Sequence, residues 1–141
     1  MYHHSDWQMN ADCLLSGLSL GLFERERLVG YRLTFIPGLG EHNLGRQLGL
    51  NDEALQKVAQ LYGTLLHPDY RNAGLGKKLM QESLRLIMEG SFHYALVTVH
   101  PDNRSSLKMC LSCGFEIEKE IKFYGGLPRL LLKKNINTGN N

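Results

Sequence analysis

Apolar and polar residues alternate with a period of two over residues 28–35. Val29, Tyr31, Leu33 and Phe35 interleave there with Leu28, Gly30, Arg32 and Thr34, as expected of a β-strand. Residues 18–23 form a second apolar run, and the charged stretch Glu24, Arg25, Glu26, Arg27 between them predicts a hairpin tip. Pro37 and Gly38 close the pair. Residues 38–57 are irregular and glycine-rich, with a short helix predicted from Asn51 or Asp52, either of which can cap it. "VAQLYGTLLHP" reads as a buried strand stopped by Pro68. Over residues 75–89, Leu75, Leu79, Met80, Leu84, Ile87 and Met88 recur at helical spacing, and Gly90 follows as a stop. "YALVTVH" (94–100) is a strand of branched and aromatic residues. A helix capped by Asp102 or Asn103 then carries Leu107, Cys110 and Leu111 and ends at Gly114 and Phe115. "EIEKEIKFY" and "RLLLKK" are the final strands, on either side of a turn at residues 125–128.

The predicted order is β-β-(short α)-β-α-β-α-β-β. Strand, long helix and strand make a parallel crossover, and the hairpins add antiparallel strands. The fold class is therefore α/β (α+β): a mixed, mostly antiparallel sheet with a central parallel β-α-β unit and helices packed on it. At 141 residues the chain suits one domain. Residues 135–141 read as a disordered tail.

Composition narrows the function classes. A formal net charge of +2, with 43% hydrophobic and 21% charged residues, suggests neither a nucleic-acid platform nor a membrane-binding surface. The polar start "MYHHSDWQMN" lacks the apolar core of an export signal. With Cys13, Cys110 and Cys113 as an odd set of cysteines, a reduced cytoplasmic location is expected. Cys110 and Cys113 form a C-x-x-C, but no second pair completes a zinc site, and the motif ends a helix instead of opening one. No metal is expected.

The candidate chemistry lies in "HPDYRNAGLGKKL", residues 67–79. Helix N-terminal amides have no partner within the helix and carry a partial positive charge, so they bind phosphate. Gly74 and Gly76 let a backbone approach an anion closely, and Arg71 and Lys77 add charge. The pattern is neither a Walker loop nor the three-glycine dinucleotide fingerprint, and a simple turn before a helix is the other reading.

The stretch Arg71-Asn72-Ala73-Gly74-Leu75-Gly76 resembles the Arg/Gln-x-x-Gly-x-Gly/Ala pyrophosphate motif of the GNAT superfamily of N-acyltransferases. "LLHPDY" resembles that family's preceding strand end, and "NRSSLKMCLSCGF" its Asn-x-x-Ala-x-x-x-Tyr-x-x-x-Gly-Phe. The resemblance covers residues 18–134 and is nearest to an uncharacterised branch with "TVHPDN" and a late "YGG…R". It implies an acetyl-CoA-dependent N-acetyltransferase passing acetyl directly to a primary amine of a small molecule or an amino terminus. Acetyl-CoA is implied as co-substrate. The pantetheine arm would lie along Thr64, Leu65 and Leu66, the pyrophosphate on the amides of Asn72, Ala73, Gly74, Leu75, Gly76 and Lys77 beside Arg71, and Asn103 against the pantetheine.

Such a reaction needs a base for the amine, a backbone donor for the oxyanion, for which the Leu66 amide is the candidate, and a donor for the leaving thiolate. Cys110 stands where the family carries a tyrosine acid, though a small buried core residue is the commoner case for a free cysteine. Tyr124 is a second candidate acid. Gln60 and Thr98 stand where relatives often carry a carboxylate, and neither takes up a proton. His100 is the candidate base, or else a turn residue in "HPDN". Arg32 and Arg129 could bind a carboxylate, though solvated or surface-paired arginines are the commoner case. Relatives begin with a strand and two helices, of which the first strand and first helix look absent here, with "NADCLLSG" as the tail of the second helix. The uncovered sheet edge predicts a homo-oligomer, a dimer. The alternative function is an acyl-CoA-binding module with little or no turnover.

Overall fold

The computed structural model describes residues 7–11, 18–71, 73–123 and 125–136. Seven strands form one sheet in the order β1-β2-β3-β4-β5-β7-β6. They are β1 (Trp7–Ala11), β2 (Leu20–Glu24), β3 (Arg27–Phe35), β4 (Val58–Leu66), β5 (Tyr94–Val99), β6 (Glu116–Phe123) and β7 (Leu127–Asn135). The helices are α1 (Asp52–Leu55), α2 (Leu75–Glu89) and α3 (Arg104–Ser112). Among the described residues only β4 and β5 pair in parallel, joined through α2, and the other neighbours are antiparallel.

The sequence expectation of a missing first strand is corrected. Trp7–Ala11 is a strand paired to β2, with Trp7 opposite Glu24 and Ala11 opposite Leu20. Its alternation of Trp7, Met9 and Ala11 with Gln8 and Asn10 is too short to stand out against its surroundings. Asn10 and Ala11 are thus strand residues and not part of a helix tail, and Cys13 and its neighbours lie outside the described residues. The edge of β2 that motivated an expected dimer is covered by β1.

The helix face of the sheet is packed in two patches. Leu20, Leu22 and Val29 meet Leu75 and Leu79. Ala59, Leu61, Ala95, Val97 and Leu132 meet Met80, Leu84, Ile87 and Cys110. Fully burying one such side chain contributes about 1.5–3 kcal/mol, so the apolar stripe fixes α2 against the sheet. Met88 and Leu111, expected on these faces, are instead exposed. Asn103 caps α3 by accepting from the Ser106 amide at 3.2 Å. The helix ends as predicted, with Phe115 N–H donating to Cys110 O at 3.1 Å and Gly114 at φ 96°.

The opposite face is covered by residues 37–57, which fold more tightly than a loop reading suggests. A 3-10 segment, Leu44–Leu48, lays Leu44 against Val58, Leu96 and Leu131. Asn43 and Gln60 tie it down. Asn43 Nδ2 donates to Gly38 O and Leu55 O at 2.8 and 2.9 Å, while Gln60 Oε1 accepts from Leu44 N at 2.9 Å.

Two irregularities of β4 build the site. Its pairing with β5 runs from Val58↔Tyr94 to Leu61↔Val97 and then stops. Its pairing with β3 shifts register between Arg32↔Thr64 and Thr34↔Leu61, so Tyr62 and Gly63 together face Leu33. This is a β-bulge, which bends a strand locally. From Tyr62 to Leu66 the β4 edge toward β5 has no strand partner among the described residues.

Candidate active site

Past the bulge, β4 ends at Leu66, a short 3-10 turn Pro68–Tyr70 follows, and α2 begins. His67 belongs to that turn, its Nδ1 accepting from Asp69 N at 3.1 Å. Gly74 is the N-cap of α2 at φ 77°, a left-handed conformation that a Cβ would strain. Among the described residues no side chain caps the helix. Ala73, Gly74 and Lys77 are exposed on this turn, whereas the Leu75 side chain is buried in the core beneath it. A Cβ on Gly76 would meet Leu66 Cδ1 at 3.8 Å and Met109 Sδ at 4.0 Å. Arg71 Nε donates to Leu66 O at 3.2 Å with the guanidinium exposed.

This turn opens onto a cavity of about 720 Å³ between the parted strands. Of the residues predicted for the cofactor, Thr64, Leu65, Leu66, Arg71, Gly76 and Asn103 line it, and His100 and Cys110 line it as well. The leucines stand on the unpaired edge, and Leu65 is 53% exposed. Thr64 Oγ1 is buried without a hydrogen-bond partner among the described residues. Leu66 lies four residues beyond the point where the strands part, on the Arg71 side, so the backbone at the parting belongs to Tyr62 and Gly63 instead. Asn72 and Tyr124 lie outside the described residues.

The inner end of the cavity holds a side chain that the sequence misplaces. Arg32 is not solvated or surface-paired: it is 3% exposed and lines the cavity. Its Nη1 donates to Tyr62 O at 2.9 Å, satisfying a carbonyl of the bulge, while its Nε has no partner among the described residues. Among the described residues no carboxylate pairs with it. Burial lowers its pKa to about 10, which leaves it cationic at neutral pH. Beside it, burial pushes the Cys110 thiol up, and the Arg32 charge opposes that rise. Cys110 is therefore both a core residue and a cavity wall, and it stays protonated near neutrality.

His100 follows β5 at the other wall. Its Nδ1 accepts from the Asp102 amide at 3.0 Å. In a neutral imidazole so arranged the proton sits on Nε2, which is then a donor and not a base. Arg129 also lines the cavity, with Nη1 donating to Pro128 O at 2.7 Å.

A second cavity of about 800 Å³ opens on the opposite face, walled by Phe35, Ile36, Pro37 and the loop carrying Glu41, His42 and Arg46. Tyr62 and Thr98 line both cavities. Both cavities therefore border the place where β4 and β5 part, with Tyr62 and Thr98 as shared walls. Gln60 does no acid-base work there, because its Nε2 donates to His42 O at 3.2 Å and to Tyr62 Oη at 2.8 Å. Glu41 and His42, 3.8 Å apart and exposed, are the acidic and imidazole groups of this wall. They sit in a stretch without periodicity, so no sequence signal marked them. Among the described residues no group of three or more His, Cys, Asp or Glu side chains gathers to hold a metal, and no helix is long and apolar enough to cross a membrane.

Comparison with known proteins agrees with this geometry. A curated relative, mycothiol acetyltransferase of Thermobifida fusca (strain YX), is 29% identical over 80 residues, which are 57% of this chain and 24% of that protein. The chain thus spans about a quarter of that relative's length. Among solved structures, the ribosomal-protein-S18-alanine N-acetyltransferase of Escherichia coli superposes with a TM-score of 0.65 at 16% identity, covering 88% of this chain and 72% of that one. A phosphinothricin acetyltransferase of Sinorhizobium meliloti, in complex with acetyl-CoA, gives 0.65 at 20% identity over 86% of this chain and 62% of that one. At these identities the superpositions speak for the fold. The sequence profile of the Acetyltransferase (GNAT) family matches residues 2–115, and with that match the chain belongs to the GNAT acetyltransferase family.

Proposed function

We propose that this chain is an acetyl-CoA-dependent N-acetyltransferase acting on a primary amine of a small molecule or an amino terminus by direct transfer. The observation that supports it best is a pair of cavities on opposite faces of the sheet that share Tyr62 and Thr98 as walls. Acetyl-CoA is the co-substrate, with its pyrophosphate on the first amides of α2 beside Arg71. Its pantetheine arm follows the open edge of β4 at Thr64, Leu65 and Leu66, with Asn103 on the other wall. The Thr64 hydroxyl, without a partner among the described residues, is available to hydrogen-bond that arm. The amine enters from the second cavity, and its nitrogen attacks the thioester carbon at the parting. Glu41 and His42 are placed to take its proton through water. Cys110 or Tyr124 returns a proton to the sulfur.

The competing reading is an acyl-CoA-binding module without turnover. It is favoured by the commitment of His100 Nδ1 to the Asp102 amide, which leaves the donor cavity without a ready base.

The test is calorimetric titration of acetyl-CoA into the wild type and a folded Gly74→Trp variant. Micromolar-range binding is expected, with a loss of at least about 100-fold in the variant, because an indole at the cap blocks the amides. A panel of amines with free-thiol detection follows. Thiol release with an amine supports transfer, and binding without any release supports the module. Equal affinity in the two proteins would remove the anion cradle from the account.

A further inference from the structure

We propose that Arg32 is a catalytic residue whose guanidinium receives the negative charge of the CoA thiolate as the carbon–sulfur bond breaks. The inference rests on the acetyl-CoA reading of the donor cavity and adds to it a residue for the leaving group.

Every charged side chain lining that cavity among the described residues is cationic: Arg32, Arg71 and Arg129. Arg71 stands at the α2 end, bonded to Leu66 O, and Arg32 at the inner end, bonded to Tyr62 O. Four residues of extended strand separate those carbonyls, about 13 Å. Phosphates bound at α2 therefore leave Arg32 without a counter-ion. Holding the bulge carbonyl takes one N–H, which an amide side chain could supply without a charge. Burying a cation with no partner is costly unless an anion arrives. In this cavity the reaction itself creates one, where β4 and β5 part and the two cavities share Tyr62 and Thr98 as walls.

The step balances without further reagents. The neutral amine nitrogen forms a bond to the thioester carbon. The tetrahedral adduct collapses, and the carbon–sulfur bond breaks with its electron pair going to sulfur. The amine proton passes to water or a wall residue. The thiolate rests against the guanidinium until a proton reaches it. In a site shielded from solvent such a preorganised cation acts more strongly than it would in water. It also gives this chain a means of expelling thiolate where the tyrosine of the related motif is replaced by Cys110.

The test compares CoA with acetyl-CoA, because only CoA can ionise at sulfur. Their affinity ratio is measured calorimetrically from pH 6.5 to 9 in the wild type, Arg32→Gln and Arg32→Lys. Titration of the protein's own groups affects both ligands and divides out. In the wild type the ratio is expected to rise about tenfold in favour of CoA. The bound thiol then ionises at a lower pH than the thiol of free CoA. Arg32→Gln should flatten the ratio and lower kcat about 100-fold, with KM for acetyl-CoA changed less than about threefold. Arg32→Lys should restore part of both. A flat ratio in a wild type that binds acetyl-CoA, or a rise that survives Arg32→Gln, overturns the proposal. Should Arg32→Gln fail to fold, the wild-type trend and Arg32→Lys still decide it. Failure of the wild type to bind either ligand would overturn the acetyl-CoA reading itself.

Discussion

Arg71 and Arg32 line one cavity and carry the same group, yet they do different physical work. Arg71 is exposed, and its charge is screened by water and salt. Arg32 is 3% exposed and has no ion-pair partner among the described residues. An exposed charge steers and holds phosphate at little energetic cost to the fold. A buried one strains the fold and acts at full strength on whatever charge comes near it. The difference follows from where each lies relative to the sheet. Arg71 follows the last strand residue, while Arg32 sits inside β3 under α2 and α3.

The sharpest way to break this comparison is a stability measurement. A pKa lowered to about 10 corresponds to a penalty of about 3 kcal/mol for keeping Arg32 charged in the fold. Losing its bond to Tyr62 O, made by a charged donor, would cost about 1.5–3 kcal/mol. Arg32→Met should therefore raise the urea unfolding free energy by at most about 2 kcal/mol at pH 7, the reverse of a usual core substitution. The sign with pH is fixed. The folded-state pKa is depressed, so the penalty is complete below pH 10 and fades above it. Arg71→Met should leave stability unchanged. A loss of stability in Arg32→Met at pH 7 would show that the guanidinium is a net stabiliser and not a charge held at a cost.

The same contrast predicts a smaller effect on binding. Arg71→Gln removes a screened charge from beside the α2 amides, so acetyl-CoA affinity should fall about three- to fivefold at low salt. Raising the salt should shrink that difference, because the interaction it removes is itself screened. Calorimetry at two ionic strengths checks both. A salt-independent loss would indicate that Arg71 is desolvated on binding and is not a screened surface charge.

How much of this was legible follows from the range of the interactions. α2 is marked by Leu75, Leu79, Met80, Leu84 and Ile87 at helical spacing, and the structure ends it at Glu89 as the pattern requires. The anion cradle is contiguous and built from backbone, so Arg71, Gly74 and Gly76 announce it locally. Arg32 does not, because alternation separates the two faces of β3 without saying what covers each. Here Tyr31, Leu33 and Phe35 are half-buried while Arg32 and Thr34 are buried. Residues 37–57 show no period, since they are held by polar side chains such as Asn43 and Gln60 that bond backbone far away in sequence. The parting of β4 from β5 is likewise a tertiary event, and only the change from buried Leu61 to exposed Tyr62 records it.

The weakest expected effect is the most local. The Arg32 charge opposes the burial that raises the Cys110 thiol, so removing it should raise that thiol further. The readout is the pH midpoint of alkylation at Cys110, followed by peptide mass spectrometry so that Cys13 and Cys113 are scored apart. Access to a residue 1% exposed sets the amplitude of the reaction, while ionisation sets its midpoint. A changed cavity shape therefore alters the first and not the second. The midpoint should rise in Arg32→Met and stay in place in Arg71→Met. Bound CoA should shield Cys110 in both. A midpoint indifferent to Arg32 would mean that the guanidinium charge does not reach the sulfur wall. The thiolate would then need another partner, and Arg32 would be reduced to a prop for the bulge.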